Sequence, residues 1–181
     1  MQSNEQNTPN QTSPPSNTRT VILGLGNSIL SDDAVGILVA RAARELLCDC
    51  CWVEIAENER GGMDVLDEIG PYERAVLIDG IKTGKNPPGT LLMLSPTELQ
   101  PTRRLSGFHD LDLPTAIKLA QRLSLPIPKE INVLAVEIED DINFSEECTP
   151  KVAAAVLSAA QVVASLAKDG SIPQGIKVKY T

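Results

Sequence analysis

Three residues stand out among the 181 for the chemistry they could do together: Asp33, Asp79 and His109. They come from three separate segments, and two oxygen donors with one nitrogen donor suit a borderline divalent metal such as nickel or zinc. Such a site leaves coordination positions open for ligands from a substrate. His109 is the only histidine, so any Ser-His-Asp triad or Cys-His pair would have to use it. Ser28, Ser31, Ser106 and Cys148 are the nucleophiles open to a hydrolase of that kind, and no GxSxG elbow accompanies them.

Each candidate also has a structural role open to it. Asp32 is expected to cap the following helix or to favour its dipole. Asp33, next to it, is open to reading as a ligand or as a second helix-start residue. Asp79 follows four apolar residues, AVLI is its lead-in, and a carboxylate there is costly to desolvate unless it faces a polar cleft or a partner. His109 could cap the helix that follows it, and Asp110 and Asp112 read as solvated helix-start residues.

The elements that must position these groups follow from periodicity. From Thr20 the run VILGLG is short, apolar and closed by glycines, which predicts a buried strand. Behind Asp32 and Asp33, Val35, Leu38, Val39, Ala42 and Leu46 recur at helical spacing. A strand over 52–56, a short helix over 62–69 and a strand over 74–78 complete two βαβ crossovers, leaving Asp79 at the end of the third strand. The polar connector GIKTGKNPPG is too brief for a helical crossover, so TLLML is expected to run antiparallel. A loop delivers His109 to a helix over 113–123, INVLAVEIE is the last strand, and Pro150 opens an Ala- and Val-rich helix ending near Gly170.

This order predicts a three-layer α/β/α sandwich with about five strands, mostly parallel with one antiparallel. In such sheets ligands sit outside the carboxyl ends of the strands, where successive crossovers leave on opposite faces. If the second and third strands flank the first, Asp33 and Asp79 reach that crevice together. A dinucleotide site is the competing use of the same turn. Gly24-Leu25-Gly26 opens a helix and Glu57 lies near the end of the second strand, but Ile29 stands where the third glycine belongs, and Asp32 and Asp33 would repel a pyrophosphate.

Bulk properties narrow the partners. A net charge of −8 argues against nucleic acid or anionic lipid as a ligand. No apolar run approaches the roughly 18 residues that span a bilayer, so a cytoplasmic protein with no membrane contact is expected. The apolar content is 42% but only 3% is aromatic, so the core must come from Leu, Ile, Val and Ala. Residues 1–18 are polar and Pro-rich and read as a flexible tail, 19–170 as one α/β domain, and 171–181 as a C-terminal arm. Cys48, Cys50, Cys51 and Cys148 lack CxxC spacing and read as reduced thiols packed where a helix ends before a strand. No exposed heptad or long apolar edge demands a second copy, and a monomer is expected.

The segment GLGNSILSDDAVG (Gly24 to Gly36) resembles the opening motif of the nickel-iron hydrogenase maturation proteases: a strand, a Gly-x-Gly-Asn turn and an acidic pair ahead of a helix. The resemblance continues through Gly61 and Gly62, VLIDG around Asp79, PGT at Pro88 to Thr90, SGFHD around His109, AVEIE at Ala135 to Glu139 and TPKV at Thr149 to Val152. It covers most of residues 20–168. It implies an endopeptidase that removes a C-terminal extension from a hydrogenase large-subunit precursor after nickel insertion; the alternative open to the same three residues is a non-catalytic nickel-binding chaperone of hydrogenase assembly. It further implies that Asp33, Asp79 and His109 contact nickel supplied by that precursor, with zinc or cadmium as surrogates, and that Asp33 and Asp79 are catalytic. Some members of that family carry Glu where this chain has Asp33, whose side chain is one methylene shorter.

Overall fold

The computed structural model describes residues 18–96, 113–174 and 176–179. Its elements are β1 (Thr20–Leu25), α1 (Val35–Leu46), β2 (Val53–Asn58), α2 (Met63–Ile69), β3 (Arg74–Ile81), β4 (Leu91–Leu94), α3 (Leu113–Leu123), β5 (Glu130–Glu137), α4 (Pro150–Asp169) and β6 (Lys177–Lys179). A 3-10 turn over Ser31–Ala34 precedes α1. The strands form one sheet in the order β2-β1-β3-β5-β4-β6.

The sandwich expected from the sequence is the one observed. β1 pairs in parallel with β2 and β3, and β3 in parallel with β5, while β4 runs antiparallel to β5. One face of the sheet is buried by α1 and α4, whose Val39, Ala43, Ala160 and Val163 pack on Ile22, Val76, Ile78 and Leu134. The other is buried by α2 and α3, whose Leu66, Ile69, Ala116 and Ala120 cover Leu23, Leu77 and Val133. Strict alternation along β3 sends Val76 and Ile78 to the first cluster and Ala75 and Leu77 to the second.

Four features differ from expectation, each for a local reason. The C-terminal arm supplies a sixth strand, β6, through parallel pairing of Lys177–Lys179 with Leu92–Leu94. The buried side of α1 is wider than its Leu and Val spacing suggests: Gly36, Ile37, Ala40 and Ala43 are buried, whereas Leu46 is exposed. This helix is wedged between the sheet and α4, and its small residues permit that approach. A Cβ at Gly24 would run into the Gly36 carbonyl and the Ala40 methyl group. Among the cysteines Cys50 is buried, but Cys48 and Cys51 are exposed on the turn after α1. Finally, α4 is, among the described residues, the one helix long and apolar enough to cross a membrane. Half of that apolar window is buried, against α1 and the sheet, as befits a core helix.

Candidate functional site

The first crossover leaves β1 over the α1 face and returns in β2; the second leaves β2 over the α2 face and returns in β3, on the far side of β1. The sheet therefore changes winding direction between β1 and β3. Their carboxyl ends open the crevice in which α/β folds place ligands.

Asp33 sits at this crevice because of glycine. Gly36, in the first turn of α1, lies so close to the sheet that a Cβ would collide with the carbonyl oxygens of Leu25 at the end of β1 and of Ile78 on β3. Gly26 likewise abuts the Asp33 carbonyl, and the Asn27 amide donates to that oxygen at 3.3 Å. The 3-10 turn carrying Asp33 contacts β3, and Gly36, just beyond that turn, meets β3 at Ile78, the residue before Asp79. Asp33 is half-buried and Asp79 is 1% exposed. The conditional expectation that β2 and β3 flank β1 is met, and the two acidic segments meet.

Asp79 does not end its strand. β3 continues through Gly80 and Ile81, which pair with Val136 and Glu137 of β5, so Asp79 lies within the sheet opposite Ala135. It shares its face with Leu77 and Ile81, the α2/α3 side. His109 lies outside the described residues, as do Ser106, Asp110 and Asp112. Among the described residues no group of three His, Cys, Asp or Glu side chains is placed to hold a metal ion.

Asp32 is not a helix cap: neither the 3-10 turn nor α1 has a side-chain cap bond. Its carboxylate is fully buried and accepts the backbone N–H groups of Glu139 (3.1 Å), Asp140 (3.0 Å) and Thr149 (2.6 Å) and the Thr149 hydroxyl (3.1 Å). The backbone reinforces this tie, with Ser31 N–H donating to the Ser145 carbonyl at 2.8 Å and Asp32 N–H to that of Asp140 at 3.1 Å. Ser31 adopts a φ of 44°, which turns the chain so that Asp32 points inward and Asp33 does not. This is also why β5 stops at Glu137 rather than Glu139: the amides of Glu139 and Asp140 turn to Asp32.

A third buried carboxylate, Glu137, was not singled out by sequence. Its oxygens accept the amides of Thr83 (2.7 Å) and Gly84 (2.8 Å) and the Thr83 hydroxyl (2.6 Å), pinning the polar loop that follows β3. The available signal is the one that drew notice to Asp79, an acid closing an apolar strand run.

The competing uses of these residues fare poorly. Glu57, which a dinucleotide site would aim at a ribose, is held by the Arg41 guanidinium at 2.8 Å and lies 3.8 Å from Arg44. Cys148 is half-buried, and desolvation, with a smaller contribution from the Asp32 charge, pushes its thiol up to about 11. Almost none of it is thiolate at neutral pH. At pH 8, alkylation of Cys148 by iodoacetamide, followed by peptide mass spectrometry, is expected to run about a hundredfold slower than for a thiol at the ordinary value near 8.5. Exposed Cys48 and Cys51 should be labelled first, and Cys148 labelling at their rate would contradict the burial described.

Comparison with known proteins points to one family. A family model described as HycI, hydrogenase maturation protease, matches residues 53–166. The hydrogenase 2 maturation protease of Escherichia coli (strain K12) is 30% identical over 155 residues, 84% of this chain and 93% of that protein. Among solved structures, the hydrogenase maturating endopeptidase HybD from E. coli matches with a TM-score of 0.66 at 27% identity, covering 86% of this chain and 98% of its own. The [NiFe] hydrogenase maturation protease HybD from Thermococcus kodakarensis matches with a TM-score of 0.59 at 26% identity, covering 83% and 99%.

Proposed function

The chain belongs to the hydrogenase maturation protease family, and we propose that it removes the C-terminal extension of a nickel-iron hydrogenase large-subunit precursor once nickel has been inserted. The observation that carries this reading is the meeting of the Asp33 turn with the Asp79 strand at the winding switch, at the position where α/β folds bind ligands. In this account nickel arrives with the precursor as part of the substrate. Asp33, Asp79 and His109 complete the coordination of an ion whose other ligands belong to the precursor. Three such donors would bind free nickel weakly, so the loaded precursor, rather than the metal alone, is what the site recognises. Zinc and cadmium suit the same donors as surrogates.

The chemistry is hydrolysis of one peptide bond. Polarisation of the scissile carbonyl by the precursor's metal favours attack by water at its carbon. Asp33, the more exposed of the two carboxylates, takes a proton from that water and returns it to the departing amine nitrogen as the C–N bond breaks. Asp79 holds the metal side of the site from within the sheet. The products are a new C-terminal carboxylate on the large subunit and a released peptide. The protease acts as a monomer in this reading.

Cleavage rates on nickel-loaded and apo precursor test the checkpoint. The loaded form should be cut and the apo form left intact over the same interval; equal rates on both would remove nickel recognition from the account.

A further inference from the structure

We propose that Ile29, Ile142 and Phe144 form the docking surface for the folded large-subunit precursor, a contact that rests on the protease reading and adds to it a place outside the metal site where the substrate is gripped. All three are apolar and exposed, by 48%, 62% and 82% respectively. Phe144 is one of only two phenylalanines in a chain with five aromatic residues in all, and in a sequence so short of aromatics it is left in solvent instead of the core. Exposed apolar groups that gather in one place mark interaction surfaces, and aromatic side chains are the usual anchors of such contacts.

They gather because their loops are joined. The Ser145 amide donates to the Ile29 carbonyl at 3.1 Å, and Leu30 and Ser145 form a parallel bridge. The Asp140 carboxylate accepts the amides of Ile142 and Asn143, both at 3.2 Å, and the Asn143 side-chain amide at 2.9 Å, fixing the turn that displays Ile142 and Phe144. Buried Asp32 ties this loop to the turn bearing Asp33 through the Asp140 amide. The apolar trio and the candidate catalytic carboxylate therefore ride on one hydrogen-bonded unit, so a protein held by the first is placed against the second.

The occupant's chemistry follows from the rim. Glu146 and Glu147, exposed and next to Phe144 in the same loop, carry the negative charge of this rim, while Glu139 and Asp141 are already paired with Lys151 at 3.6 Å and Lys82 at 2.8 Å. A complementary partner presents an apolar hollow bordered by Lys and Arg. A membrane surface or a second copy of this chain, itself at −8, fits such a rim less well.

The test is calorimetric binding of purified nickel-loaded precursor to the full chain, to Phe144→Ser and to Ile142→Ser, with cleavage followed separately. The expected result is a Kd about tenfold or more weaker for Phe144→Ser, the loss typical of one aromatic anchor, with kcat at saturating precursor within about twofold of the parent and an unchanged melting temperature. Ile142→Ser should weaken binding in the same direction. Unaltered Kd in both variants overturns the docking surface, as does a parent chain that dimerises in sedimentation and becomes monomeric on Phe144→Ser. A parent that binds precursor through Phe144 but never cuts it leaves the docking surface standing and overturns the protease reading instead.

Discussion

Replacing Asp79 by Asn is expected to lower the rate of precursor cleavage by about a thousandfold or more while leaving a cooperatively folded protein. Asn keeps the shape of the side chain at a position 1% exposed, between Leu77 and Ile81 on the strand face covered by α2 and α3. What it loses is the negative charge. Electrostatic stabilisation around a polarising metal contributes several kcal/mol to a transition state, and about 4 kcal/mol corresponds to roughly 10³ in rate. The measurement is a single-turnover time course by intact mass, with circular dichroism confirming the fold. Cleavage within about tenfold of the parent would assign Asp79 to packing alone.

The second large effect belongs to stability. Asp32→Ala leaves three backbone N–H groups and one hydroxyl without the acceptor they share in the folded protein. Each stranded donor costs about 1–3 kcal/mol, and because relaxation and water entry recover part of this, a total near 4 kcal/mol is expected. For a domain of this size that lowers the melting temperature by about 10 °C. Asp32→Asn should recover little of it, because whichever way the amide is turned its NH₂ group faces backbone donors on one side. Amide exchange gives the local readout: Glu139, Asp140 and Thr149 should lose protection together. A melting temperature within about 2 °C of the parent in Asp32→Ala would mean that the loop is held by backbone bonds alone.

Most of the architecture was legible because the chain states it in short, unambiguous runs. VILGL admits one buried strand, and the helix over Leu113–Leu123 begins and ends where its periodicity and Pro114 put it. That the turn carrying Asp33 meets the strand carrying Asp79 was legible only conditionally, since it depends on β3 returning to the far side of β1, a matter of crossover hand rather than of any residue near the site. Spacing alone does not separate the roles of Asp32 and Asp33, and the part Asp32 plays was not legible in sequence. Adjacent acids ahead of a helix look equivalent, and what divides them is the positive φ of Ser31 together with a loop more than 100 residues away that turns its amides toward Asp32. Glu137 and β6 were missed for the same reason: each acts through partners distant in the chain, Thr83 and Gly84 in one case and Leu92–Leu94 in the other. His109 lies in the part of the chain outside the described residues, so its place in the site rests on resemblance and on its being the single imidazole available.

The central claim is that this chain cuts a metal-loaded precursor with a site built from Asp33, Asp79 and His109. Its most direct test is an intact-mass time course of nickel-loaded large-subunit precursor from the same organism, incubated with the parent chain, Asp33→Ala or His109→Ala. The account predicts loss of one C-terminal peptide with the parent and an uncut precursor with either variant. An uncut precursor with the parent, when cell extract processes the same preparation, or full cleavage by both variants, would contradict it.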